Sequence, residues 1–399
     1  MYCLLLSAGG AHAHGLPIGG LVPFVENGEV IGAGTTWGIV LQEDGKWLRS
    51  CEEGTGAMAR FYHRLPDGRV LVASDEGLFV TSDGGCTYES VAESLSAQSI
   101  GALQAARDVP ERIFVATRTP GQENGVFRSV DGGLTFTATE LKRSGVLFDG
   151  IIATGDGETL LVHALDFTSL ENLVFVSRDA GETFVQTPPA LADFEYVRLL
   201  GTSANGDKLI VSALPAAGGN VVLESADGFV TANEIVRVDY EVTAFARVGD
   251  AELLSSSGTR LLRRMTPDAA FEQVLGPTRC LTRVNGSESL FACGALPDNA
   301  HILSTADGVN WETYIPFLGV EERLCPTGTP GFERCVQFIF PPDEEPDAPR
   351  TNPPPKSGAE ASCKCIQGAA DSSHTGYLAA LLLACPWFWR KRHNARSTV

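Results

Sequence analysis

Four arginines stand in similar contexts: Tyr62-His63-Arg64, Tyr196-Val197-Arg198, Phe245-Ala246-Arg247 and Leu281-Thr282-Arg283. Each is expected to end a strand just before a turn. Gathered at one level, their guanidinium groups would make a positive ring inside an acidic chain, suited to a carboxylate or phosphate ligand. The local alternative is that each faces a carboxylate or carbonyl of its own turn, such as Asp67 or Asp250. His63, His163 and His301 share no spacing and read as packing or surface residues. His14 would gain a copper-chelating amine and ring pair if cleavage followed Ala13, but nothing else supports a metal. No Gly-rich phosphate loop, Ser/His/Asp order or HExxH run is present, so no catalytic residue, cofactor or metal is assigned.

A repeat must position these residues. The pattern Ser/Thr-x-Asp-x-Gly-x-Thr-aromatic occurs in full around Asp83, Asp131 and Asp179. It occurs in weakened form around Asp227, where Phe229 replaces the Gly and Ala232 the aromatic, and around Asp307, shortened by one residue. Asp44 and Asp268 mark the most degenerate copies. The seven aspartates are 39, 48, 48, 48, 41 and 39 residues apart. Each follows a short apolar strand, with two more strands before it and one after. Four strands per repeat and a period of forty-odd residues predict an all-β, seven-bladed β-propeller of four-stranded blades. In each turn the carboxylate is expected to accept backbone N–H groups, the Gly to take positive φ, the Thr hydroxyl to cap a neighbouring backbone group, and the aromatic to pack between sheets. Calcium is the rival reading of these aspartates, but one carboxylate per turn is far from the six or more oxygens calcium takes.

The pattern resembles the Asp-box, or BNR, repeat across roughly residues 20–317. Propellers of that type include sialidases, sortilin-type receptor domains and photosystem II assembly factors. The resemblance implies the fold; it does not imply one activity, because these families share blades and differ in function. A sialidase would carry three arginines on the substrate carboxylate, a Tyr/Glu pair, a free Asp and an Arg-Ile-Pro tripeptide. The nearest tripeptide here is Arg64-Leu65-Pro66, and the following Asp67-Gly68 explains it as a hairpin turn.

Composition sets limits on function. The 399 residues carry 49 Asp and Glu against 30 Lys and Arg, a formal net charge of −19, which argues against nucleic-acid binding. Residues 1–13 read as a signal peptide or its remnant, ending Ala11-His12-Ala13. Residues 14–317 are assigned to the propeller and 318–340 to a disulfide-stapled closing segment. A Pro-rich acidic linker, 341–362, follows. Residues 363–399 hold Cys363 and Cys365, a short apolar helix over 377–389 and Arg390-Lys391-Arg392, and resemble myxobacterial C-terminal sorting tails. Those features predict export, with a tethered, monomeric domain outside the cytoplasm. Setting aside the cysteines of the two ends leaves Cys51, Cys86, Cys280, Cys293, Cys325 and Cys335, an even number that suggests disulfides. Proximity in sequence suggests Cys280–Cys293, Cys325–Cys335 and Cys51–Cys86, one of fifteen connectivities.

The expected function is a non-enzymatic cell-surface binding or scaffold module whose ligand is an unidentified protein or glycan. A sialidase-like glycan hydrolase and an assembly-factor-like chaperone are the alternatives.

Overall fold

The computed structural model describes residues 20–26, 29–35, 38–50, 59–216, 218–256, 260–276, 278, 280–283, 289–296, 300–316, 320–331 and 333. The expected leader, linker and tail, with Cys363, Cys365 and the apolar stretch 377–389, lie outside the described residues. So do Cys51 and Cys335.

Seven antiparallel sheets follow one another along the chain and form blades 1 to 7 over 20–49, 59–90, 100–144, 146–186, 194–238, 242–275 and 280–316. Each blade's first strand faces the axis and lies beside the first strands of its neighbours, round to the contact between blade 7 and blade 1. The second strands are the most apolar. Val70–Ser74 and Ile113–Thr117 are buried at every residue, because both faces of a second strand meet another blade. The fourth strand reaches solvent, and Thr137–Ser144 is exposed at most positions. Seven apolar clusters fill the seven interfaces. Phe114, Phe148 and Phe175 lie between blades 3 and 4, Phe24 and Tyr62 between blades 1 and 2, and Val40 and Phe291 between blades 7 and 1. A fully buried Phe contributes about 2 kcal/mol by area, so the interfaces hold the ring by apolar burial.

Closure comes from a strap rather than a shared blade. Val320–Glu322 runs parallel to Lys46–Arg49 as a fifth strand on the outer edge of blade 1. Lys46 pairs with Glu321 at 3.0 Å, and the Arg323 amide donates to the Arg49 carbonyl at 2.7 Å. The strap then crosses to blade 2, where Cys325 is bonded to Cys86. This corrects two of the sequence-proximity pairs: Cys86 and Cys325 are 239 residues apart but meet because the ring brings its end back to its beginning. The Cys280–Cys293 disulfide joins two residues directly opposite each other on adjacent strands of blade 7. Gly331 donates to the Cys86 carbonyl at 3.0 Å, and a Cβ there would stand 2.8 Å from that oxygen.

Candidate functional site

Each blade has two ends. At one end the first strand turns into the second and the third into the fourth; the turns of the repeated Ser/Thr-x-Asp pattern, the box turns, lie there. At the other end the second strand turns into the third and the chain passes to the next blade.

Five box turns share one hydrogen-bond plan. Thr81, Ser129, Ser177, Ser225 and Thr305 accept through Oγ from the amides of Gly85, Gly133, Gly181, Phe229 and Gly308, at 2.8–2.9 Å. Asp131 accepts the amides of Leu134 and Thr135 at 3.1 and 3.0 Å, and the Thr135 hydroxyl donates to it at 2.5 Å. Asp83, Asp179 and Asp227 repeat this with Thr87, Thr183 and Thr231, and Asp307 does so with Asn310. The threonine hydroxyl thus bonds the aspartate rather than the backbone. Burial raises the carboxyl pKa of Asp131 and Asp227, yet these hydrogen bonds to the charged form win and pull both down to about 2. The same groups hold Asp83, Asp179 and Asp307 below the usual carboxylate range.

Two sequence copies are built differently. Asp44 and Gly45 form a two-residue hairpin with φ of 50° and 76°, the geometry of a type I′ turn. In blade 6 an arginine stands in for the aspartate: Arg264 donates to the Pro267 carbonyl at 2.6 Å and to Glu252 at 2.6 Å, and lies 4.9 Å over the Phe271 ring. Neither Asp44 nor Asp268 makes the box bonds among the described residues. In blade 5 the aromatic has moved rather than vanished. Phe229 takes the glycine's place at φ 63° and is fully buried among Val176, Leu209 and Leu223, where Ala232 leaves room.

The four first-strand arginines do not form one ring. Arg64, Arg247 and Arg283 lie opposite Val70, Glu252 and Leu290, near the box-side turns. Arg198 lies opposite Ser212, about 10 Å further along its strand than the turn-side pair Thr202–Leu209. Their partners are glutamates rather than Asp67 or Asp250. Arg64 reaches Glu26 of blade 1 at 3.0 Å, Arg198 reaches Glu241 ahead of blade 6 at 2.5 Å, and Arg247 binds Glu252 at 3.0 Å and Glu224 of blade 5 at 3.3 Å. Asp67 is held by Arg69. The Arg283 side chain lies outside the described residues. Arg64-Leu65-Pro66 opens a turn closed by the Leu65 and Gly68 amides.

The opposite end carries groups that the sequence reading missed. Arg60 forks onto Asp75 through two bonds of 2.8 Å, and the Ser99 hydroxyl adds a third at 2.7 Å. Burial raises the Asp75 pKa, but Arg60, Ser99 and the charge of Arg118 bring it below the usual range. Farther round, His163 binds Asp149 at 2.5 Å and lies edge-on to Tyr196, over which Arg198 extends. The only signal for Arg60, Asp75 and Asp149 is their place on a first strand or beside a second-to-third-strand turn; His163, read from the sequence as a packing or surface residue, lies within the second strand of blade 4. Among the described residues no group of three His, Cys, Asp or Glu could hold a metal ion.

No protein-family model and no curated protein matches the chain. Solved structures are similar in fold. A prolyl endopeptidase gives a TM-score of 0.51 at 15% identity, over 74% of this chain and 49% of that one. YCF48 bound to D1 peptide gives 0.42 at 15%, over 64% and 81%, and the GH74 xyloglucanase from Xanthomonas campestris gives 0.42 at 12%, over 72% and 57%. This chain therefore spans about half of the endopeptidase. At such identities the likeness is one of fold alone.

Proposed function

We propose that this chain is an exported binding or scaffold module, tethered at a cell surface, that takes a protein or glycan on the propeller face opposite the Asp-boxes. One observation carries the reading: Arg64, Arg198 and Arg247 of the first strands are spent on glutamates, Arg64 and Arg247 across a blade boundary. Charges used to tie wedges together make a rigid platform. The disulfide strap suits such a platform to an oxidising exterior. The boxes are already saturated by their own turns, which leaves the other face to recognise a ligand. The acidic composition argues against nucleic acid as the partner.

The test is a glycan array and an envelope-protein capture with the full chain, run beside a hydrolysis assay on fluorogenic sialosides and other glycosides. Saturable binding without turnover is expected. Turnover of any glycoside that follows the protein through purification would replace this reading with the hydrolase.

A further inference from the structure

The structure assigns a carboxylate subsite to the mouth of blades 2 and 3, anchored by Arg118; this deepens the proposed ligand face and rests on that reading. Two guanidinium groups, Arg60 and Arg118, flank a single carboxylate, Asp75. Arg60 and Ser99 already take both Asp75 oxygens. Among the described residues the Arg118 side chain has no hydrogen-bond or ion-pair partner, although the residue is half-buried. A guanidinium whose five donors make no bond among the described residues can fork onto an incoming anion with a planar pair of oxygens.

The position is preorganised. The Arg118 amide donates to the Ser99 carbonyl at 2.7 Å, and the Ser99 amide to the Thr119 hydroxyl at 2.8 Å. The Thr119 amide is fixed by the buried Asn124 at 2.6 Å. The side chain lies across the first strand of blade 3 at Gly101, where a Cβ would stand 3.0 Å from Arg118 Cδ and 2.0 Å from the Phe148 carbonyl. Only glycine leaves that path open.

The neighbours favour a hydroxyl-bearing ligand. Gln98 donates to Gln122 at 2.9 Å and accepts from Thr119 at 2.9 Å, which fixes the loop around Arg118 and leaves the Gln122 Nε2 without a hydrogen bond among the described residues. A carboxylate on a sugar ring, as in a hexuronate, matches an arginine set in such a loop.

Titration calorimetry of the full chain with trigalacturonate, galactotriose and a tetraglutamate peptide tests this. Trigalacturonate binding is expected, with roughly tenfold or greater weakening in Arg118→Gln, a smaller loss in Arg118→Lys, which keeps charge but not the fork, and none in Arg143→Gln. Unchanged thermal melting of Arg118→Gln would tie its loss to the site. Equal affinity for galactotriose, preference for the peptide, or full trigalacturonate binding by a folded Arg118→Gln would overturn the subsite. Array ligands that survive Arg118→Gln would leave the binding-module reading standing without it.

Discussion

The guanidinium of Arg178 donates to the carbonyl of Gly228 at 3.1 Å, so blade 4 grips the residue that follows the box aspartate of blade 5. Arg128 does the same to Ala180 at 2.9 Å, from blade 3 to blade 4, and Arg263 to Gly308 at 3.2 Å, from blade 6 to blade 7. Blade 1 has no arginine at this place. Its Glu43 instead holds Arg323 of the strap at 2.6 Å, and that guanidinium lies against Gly84, the residue after Asp83. The strap thus supplies the cation that the first blade lacks. Arg323→Met is expected to lower stability by about 1–2 kcal/mol in urea unfolding, and Lys46→Met, which loses only an exposed pair, by less than about 0.5 kcal/mol.

The box aspartates differ in what they hold. Asp131→Ala removes the acceptor of two amides and two hydroxyls and is expected to cost about 2 kcal/mol. Asp268→Ala is expected to cost under about 0.5 kcal/mol, whereas Arg264→Ala should cost several times more, because it leaves Glu252 with Arg247 alone and frees the Pro267 carbonyl. Denaturant midpoints of the three variants rank them. A large loss for Asp268 would restore it as a working box.

Those contrasts mark how far the sequence could be read. Blade number followed from the forty-odd-residue spacing of the repeat, which persists in blades 1 and 6 even though only five turns use the carboxylate. Asp44 and Asp268 were over-read: an Asp near a Gly or Phe fits an Asp-box equally well on paper, but only hydrogen bonding separates it from a hairpin or an arginine-held turn. Arg128, Arg178 and Arg263 were legible as residues beside the third strand's end, yet their meaning lies in the neighbouring blade. Arg198 was misplaced because its strand runs on to Thr202, four residues past the arginine, so it sits mid-strand rather than at the turn. Cys86 and Cys325 could not be paired from proximity, since ring closure sets sequence distance aside.

Phe229 trades backbone strain for packing. A non-glycine residue at φ 63° costs on the order of 1 kcal/mol, but the buried ring repays more. Phe229→Gly is therefore expected to destabilise by about 2–3 kcal/mol even though it restores the consensus glycine. Phe229→Gly with Ala232→Phe should recover part of the loss, as measured by thermal unfolding.

Acid sensitivity should arrive in two steps. Burial pushes the His63 imidazole down to about 4, from 6.5 unfolded, and its buried Nε2 has no hydrogen-bond partner among the described residues. The unfolded chain binds a proton that the folded one refuses, so stability falls as pH drops from about 6.5 to about 4 and then levels. Asp131 and Asp227, held at about 2 against 3.8 unfolded, add a second loss as pH falls from about 4 towards 2. His63→Gln should flatten the first step and leave the second; an unchanged profile between pH 6.5 and 4 would contradict the assignment.

The strap and the exported setting are tested together by non-reducing peptide mapping of the chain recovered from the cell surface. The account predicts cross-linked peptides joining Cys86 to Cys325 and Cys280 to Cys293. In the chain-entropy model the first closes a loop worth about 5 kcal/mol, so Cys325→Ser should unfold far earlier in urea. Free thiols at Cys86 and Cys325, or a Cys325–Cys335 peptide, would contradict a ring clasped outside the cell.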